Sequence, residues 1–331
     1  MDSRELVRRT LDFRTTDRVA RSFGGSDIYP CAAFVKTAAT EWQTVGERRW
    51  ERTDEWGNVW ARVDPTSKGE VVKGILGRLD DIDHLPFPDV ANPRCYDTVR
   101  AFRAEHAHQY ILGELPGFAF NIARKLRKLD QYLVDLLMSP DCIHALHDRI
   151  DLLLETMIYN YAAVGVDGII FCEDWGTQTQ LLIDPALWRR EFLPRFERLC
   201  AVARGCGITV WMHSCGQIGA IVPGLMAVGI HALQFDQPEL HGIETLAAYQ
   251  TCGKITFWCP VDIQKTLQAK DEERIRAQAR ELLDKLWRGR GGFIAGYYTD
   301  NDSIGLDPQW QDYACDEFAR YGVRENFPES V

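Results

Sequence analysis

The 331-residue sequence has no apolar run of the roughly 18 residues that a membrane-spanning helix needs. Its start, Met1-Asp2-Ser3-Arg4-Glu5-Leu6-Val7-Arg8-Arg9, lacks the apolar core of a signal peptide. A cytoplasmic protein without a membrane partner is expected. Positive charge is in short supply: 38 Lys and Arg stand against 48 Asp and Glu, a net charge of −10. That balance speaks against a nucleic-acid footprint or an anionic membrane surface. It fits an enzyme, and leaves room for a partner with a basic docking face. There is no P-loop, no Gly-x-Ser-x-Gly elbow and no His-Glu-x-x-His. No Gly-x-Gly-x-x-Gly follows an early strand, which weakens a dinucleotide-binding open sheet. Repeats and low-complexity segments are also absent. The ten cysteines are scattered along the chain, so a disulfide framework is not expected.

What is present is a regular alternation. A short helix over 3–11 leads to a first strand within 15–25, ending in Gly. Trp50, Trp56 and Trp60, with Gly57 and Gly69, suggest a β-hairpin or small meander within 49–78. From residue 94 onward, apolar strands at 110–114, 168–174, 207–213, 231–236, 255–259 and 292–297 alternate with helices. Those helices are read at 94–107, 129–138, 140–164, 185–205, 217–228, 242–250, 271–289 and 308–321. Alternation of this kind implies right-handed βαβ units and a parallel sheet buried on both faces. Seven strands are evident, and an eighth has room in the N-terminal third. The fold class is therefore α/β: a (β/α)₈ TIM-type barrel with an N-terminal helix and β-hairpin extension. One domain is expected over 1–331, with 1–93 as lead-in and hairpin.

Active sites of parallel barrels lie at the carboxyl ends of the strands. Those ends carry Glu114; Cys172, Glu173 and Asp174; His213 and Cys215; Gln234 and Asp236; Cys259 and Asp262; and Tyr297, Tyr298, Asp300 and Asn301. The most informative pair is His213 and Cys215, two residues apart where a buried strand gives way to a loop. In a strand, side chains i and i+2 share a face, so both can reach one metal ion. Imidazole and thiolate suit a borderline-soft ion such as zinc. Cys259 closes a strand two units further on and is a candidate third ligand. Adjacent strand residues face opposite ways, so Cys172 and Glu173 do not both point inward. Glu173, a carboxylate, is preferred. Trp175, Tyr297 and Tyr298 follow strand ends and are candidates to line an apolar pocket. Arg124, Lys125, Arg127 and Lys128 read as a solvated helix face.

Several stretches carry a family likeness. They are Asp17-Arg18-Val19, Thr53-Asp54-Glu55-Trp56-Gly57-Asn58-Val59-Trp60, and Cys172-Glu173-Asp174-Trp175-Gly176-Thr177-Gln178 with Leu181-Leu182-Ile183-Asp184-Pro185. His213-Ser214-Cys215-Gly216, Phe257-Trp258-Cys259-Pro260-Val261-Asp262-Ile263-Gln264 and Gly291-Gly292-Phe293-Ile294 complete the set. Together they resemble the uroporphyrinogen decarboxylase superfamily, particularly its corrinoid-dependent methyltransferase branch. Two departures refine the likeness. Ser22-Phe23-Gly24-Gly25-Ser26-Asp27-Ile28 stands where true decarboxylases carry a basic motif for the porphyrinogen carboxylates, and it has no Arg after Phe23. Tetrapyrrole decarboxylation is thus not expected. Thiol-methylating members resemble one another in a late Cys, whereas this chain reads Ala295-Gly296-Tyr297-Tyr298-Thr299-Asp300.

The resemblance implies a zinc-dependent methyltransferase. It would move a methyl group from a small O-methyl donor, of aryl methyl ether type, to a corrinoid (cobalamin) carried by a separate corrinoid-binding protein. His213 and Cys215 would hold zinc with Glu173, Cys259 lying close by as a possible fourth ligand. Asp174 or Tyr298 would hydrogen-bond the donor, with Asp236 also at the catalytic mouth. Three alternatives stand beside this reading. One is a metal-free tetrahydrofolate–corrinoid methyltransferase with Glu173, Asp236 and Asn301 on the pterin. Another is a metal-dependent lyase or decarboxylase acting without corrinoid. The third is a non-catalytic binding protein.

Overall fold

A computed structural model of the chain describes residues 1–33 and 39–327. Twelve strands occur among these residues: β1 (Ala20–Arg21), β2 (Ile28–Ala32), β3 (Gln43–Gly46), β4 (Arg49–Thr53), β5 (Val59–Arg62), β6 (Glu70–Lys73), β7 (Tyr110–Glu114), β8 (Gly168–Cys172), β9 (Thr209–His213), β10 (Ala232–Gln234), β11 (Thr256–Cys259) and β12 (Phe293–Ala295). Eight of them form one sheet in the order β1-β12-β11-β10-β9-β8-β7-β2, and every pairing in it is parallel. Strands adjacent in sequence are adjacent in space, and the sheet curls into the expected (β/α)₈ barrel.

Strand alternation sorts the side chains. Ala20, Ile28, Tyr110, Leu112, Trp211, Ala232 and Ile294 form one buried cluster, the barrel interior. Their sequence neighbours Ile111, Phe171, Val210, Met212, Leu233, Phe257 and Phe293 join a second cluster with the helices. The inner and outer sets differ by one residue, as a period of two demands. Tyr110, Trp211 and Trp258 pack ring on ring, with centroids 5.7 and 6.0 Å apart. These rings pack in the barrel interior.

The helices cover the outer wall. They are α1 (Ser3–Leu11), α2 (Asp97–Glu105), α3 (Ala119–Leu126), α4 (Leu129–Met138), α5 (Pro140–Ala163), α6 (Pro185–Glu191), α7 (Leu193–Gly205), α8 (Val222–Val228), α9 (Pro238–His241), α10 (Ile243–Cys252), α11 (Glu272–Leu282) and α12 (Gln309–Tyr321). Helix α5 buries Ile143, Leu146, Ile150, Leu154 and Ile158, a helical stripe facing the barrel. The single helix expected over 185–205 is two, broken at Phe192, because Pro194 has no N–H to continue a helix but fits the first turn of a new one. Helix α3 carries Arg124 and Lys125 of the expected helix face, but lies outside the ranges expected for helices. Among the described residues no helix is long and apolar enough to cross a membrane.

The eighth strand is β2, Ile28-Tyr29-Pro30-Cys31-Ala32. Pro30 disguises it, since proline cannot donate to a ladder. The structure accommodates it because β2 pairs only with β7, and its other edge meets β1 across a seam without a ladder. Asp27 bridges that seam. Its backbone N–H donates to Arg21 O (2.9 Å) and its carboxylate accepts from the Arg21 N–H (3.0 Å). The same carboxylate takes two hydrogen bonds from Arg18, each 2.7 Å, and one from Ser3 at 2.5 Å.

The extension is larger than a hairpin. Strands β3 to β6 form a four-stranded antiparallel sheet inserted between β2 and β7. Asp54 builds its central turn, accepting from the N–H groups of Trp56 (3.0 Å) and Asn58 (2.9 Å) and from Trp60 Nε1 (2.7 Å). Because Asp27 is fully buried and multiply bonded, Asp27→Ala is expected to cost about 3 kcal/mol of stability, the scale for breaking a buried ion pair. The urea unfolding midpoint checks this; an unchanged midpoint would mean that the seam closes without Asp27.

Candidate functional site

Inward positions at the carboxyl ends of β8, β9 and β10 are Cys172, His213 and Gln234, which stand in register across the ladders. One alternation further lie Asp174, Cys215 and Asp236. Asp174, His213 and Cys215 offer ligand atoms that all lie within 4.8 Å of one another. His213 Nε2 is 3.2 Å from Cys215 Sγ and 3.6 Å from Asp174 Oδ1. Metal bonds of about 2.2 Å in a tetrahedron give edges of roughly 3.6 Å, so these separations suit one small ion.

The loops after β8 and β9 are zipped together. Glu173 N donates to His213 O (2.9 Å), Cys215 N to Asp174 Oδ1 (2.9 Å) and Gln217 N to Thr177 O (2.7 Å). Gly176 and Gly216 lie backbone to backbone. A Cβ on Gly216, whose φ is +75°, would sit 2.3 Å from the Gly176 carbonyl carbon and oxygen. Only glycine allows this approach, which brings Cys215 beside Asp174.

The orientation of His213 is set from behind. Gln234 donates its Nε2 to Asp236 Oδ1 at 2.7 Å, which leaves its carbonyl oxygen against His213 Nδ1. Nδ1 therefore carries the proton, and the Nε2 lone pair is directed toward Cys215 and Asp174. Burial, and then Asp174 and Asp236, push the Cys215 thiol well above its usual range. Burial works against ionising Asp174 too, but His213, the Cys215 N–H and Arg124 outweigh it and hold the carboxyl below its ordinary value. An imidazole, a carboxylate and a thiol that ionises only with a cation beside it form a donor set fitted to zinc.

Several expected site residues lie elsewhere. Glu173 has the outward parity of β8 and is fully buried. Its Oε1 accepts from Phe118 N (2.6 Å) and Asn121 N (3.0 Å), capping α3, which has no side-chain cap of its own. Burial pushes its carboxyl up to about 8. It is outside the ligand cluster. Cys259 is likewise outside it, buried on the outer face of β11. The inward residue of the β8 pair is Cys172, so the choice between the two neighbours falls the other way. Asp174, one of the two residues expected to hydrogen-bond the donor, is the third member of the cluster. Asp236 acts through Gln234. Tyr298 lies across the mouth with its hydroxyl 3.2 Å from Ser303 Oγ. Trp175 is core, stacked on Phe120 at 4.0 Å. Arg124 and Lys125, read as a solvated face, line a cavity of about 1120 Å³ between the inserted sheet and the barrel mouth. Gln234, Arg124 and Lys125 carry no motif, so only the fold brings them to the site.

A parallel barrel with metal-capable donors converging at the carboxyl ends of its strands has the architecture of a TIM-barrel enzyme. The chain belongs to the uroporphyrinogen decarboxylase (URO-D) family, whose model matches residues 63–297. No curated protein matches the sequence. Among solved structures, a methyltransferase from Methanosarcina mazei is 13% identical with a TM-score of 0.60, over 77% of this chain and 73% of that one. The apo form of 3-keto-D-glucoside 4-epimerase from E. coli is 11% identical with a TM-score of 0.42, over 73% of this chain and 85% of that one. The first is a likeness of fold; the second adds nothing to it.

Two substitutions test the local architecture. Glu173→Gln keeps an oxygen for both α3 N–H groups, so stability should stay within about 1 kcal/mol and bound metal should be unchanged. Glu173→Ala loses the cap and should cost about 2 kcal/mol. Denaturant unfolding and metal analysis read both, and a Gln variant stripped of metal would return Glu173 to the ligand set. Gly216→Ala should cost about 2 kcal/mol or more, from positive φ and backbone overlap. A parent-like melting temperature would contradict that packing.

Proposed function

We propose that the chain is a methyltransferase that takes the methyl group of a small O-methyl donor, of aryl methyl ether type, and passes it to a corrinoid on a separate protein. Zinc would be held by His213, Cys215 and Asp174. The observation that carries this reading is the three-donor cluster at the open end of the barrel. The family, the fold likeness to a methyltransferase and the lack of the decarboxylases' basic strand-one motif all support it.

The chemistry asks for little proton movement. The methyl carbon leaves its oxygen, the bonding pair stays on that oxygen, and negative charge develops beside the cluster. Bound zinc supplies Lewis-acid stabilisation of that charge. His213 keeps its lone pair forward because Gln234 and Asp236 hold its other nitrogen. Asp174 and the Cys215 thiolate balance the charge of a divalent ion. His213, Cys215 and Asp174 would supply three protein donors, the number a catalytic zinc site takes.

The metal-free pterin reading gains no support. Glu173 caps α3, and Asn301 is tied to Gln311 Nε2 at 2.6 Å. The lyase reading is separated by turnover of a carboxylated substrate with no partner protein.

Purified without added metal, the chain should hold about one zinc, with His213→Ala, Cys215→Ser and Asp174→Asn each losing most of it. Elemental analysis checks the metal, and demethylation of a methoxyarene with a corrinoid protein checks the activity. Full zinc in any of these variants would remove that residue from the shell.

A further inference from the structure

The cavity at the mouth has two unlike ends. One includes Asp174 and Cys172 of the barrel; the other is the inner face of the inserted sheet. On that face the side chains stack as a ladder of alternating cations and indoles. Arg62 lies over Trp42 with its guanidinium carbon 4.3 Å from the ring centroid. Arg52 lies between Trp42 and Trp60, at 5.3 and 5.2 Å. Lys125 Nζ, from α3, follows at 5.8 Å from Trp60.

Stacking fixes these cations and leaves their charge unspent. Other cations of the cavity have acidic partners: Lys68 pairs with Asp300 at 3.5 Å, Lys128 with Asp130 at 3.1 Å and Arg124 with Asp174 at 3.6 Å. Arg52, Arg62 and Lys125 form no ion pair among the described residues, and the Nε atoms of both arginines are buried without a partner. Asp54, the nearby carboxylate, is already committed to its own turn and to Trp60 Nε1. Burial and the neighbouring Arg124 hold Lys125 below the ordinary lysine range, although Glu55 and Asp54 oppose this. A chain with a net charge of −10 has thus gathered three cations without an ion pair at one end of the cavity beside the cluster.

An apolar cavity of about 480 Å³ joins at Asn121, Lys125 and Cys172, walled by Trp56, Leu115, Met157 and Ile170. The arrangement offers charge at one edge and hydrocarbon at the other.

We propose that Arg52, Arg62 and Lys125 form a carboxylate-binding subsite, so that the small molecule acted on at the cluster is an apolar carboxylate. A guanidinium edge matches a carboxylate in two parallel N–H···O bonds, and the indole stack pre-organises that edge. The group transferred still rests on the methyltransferase reading; the charge of the ligand does not.

The test is calorimetric binding of benzoate, benzamide and inorganic phosphate to the full chain. Benzoate should bind, with benzamide and phosphate each weaker by about tenfold or more. Arg52→Gln combined with Lys125→Met should lower benzoate affinity by at least about tenfold with zinc content unchanged. If that double variant does not fold, Lys125→Met alone should still lose several-fold. Benzamide or phosphate matching benzoate, or a folded variant binding benzoate as the parent does, overturns the proposal. His213→Ala separates the two readings: it should abolish zinc binding yet keep benzoate. A parent chain that binds benzoate but no zinc would sink zinc-dependent methyl transfer and leave the subsite standing.

Discussion

Two stretches of backbone with no side chain between them hold the site together. Gly176 and Gly216 meet where the β8 and β9 loops leave the barrel, and the approach is too close for any Cβ. With the loops so joined, the Cys215 N–H reaches Asp174, and the carboxylate lies beside the thiol and imidazole. Strand alternation then does the rest: it turns Cys172, Asp174, His213 and Cys215 inward and sends Glu173 and Cys259 to the outer wall.

Glu173 shows how a carboxylate at an active-site strand end can serve the frame. It sits between Cys172 and Asp174, yet it answers the unpaired N–H groups at the start of α3. That helix in turn carries Arg124 and Lys125 to the cavity. One outward carboxylate thereby couples the loop after β8 to the cationic side. Gln234 and Asp236 play the corresponding part for His213, deciding which nitrogen is free.

The barrel is shared widely and says little about chemistry by itself. The inserted sheet between β2 and β7 is what makes this mouth particular. It borders the opening, with Lys68 paired to Asp300, and lines it with stacked arginines and tryptophans. Against a net charge of −10, Arg52, Arg62 and Lys125 stand together at one end of the mouth cavity.

The order of elements was legible in the sequence because apolar runs of strand length, alternating with helical stripes, admit few topologies. His213 and Cys215 were legible because two-residue spacing needs only a strand to bring them together. Three things were not. Pro30 masked a strand that survives only because it borders a seam. The choice between Cys172 and Glu173 depended on strand phase, and one residue reverses every side chain. The roles of Gln234, Arg124 and Lys125 depended on partners 21 to 65 residues away in sequence, such as His213 for Gln234, and on the insertion packed across the mouth. Local pattern fixes what a segment becomes; which face it turns, and toward what, is decided when the barrel closes and the lid packs on it.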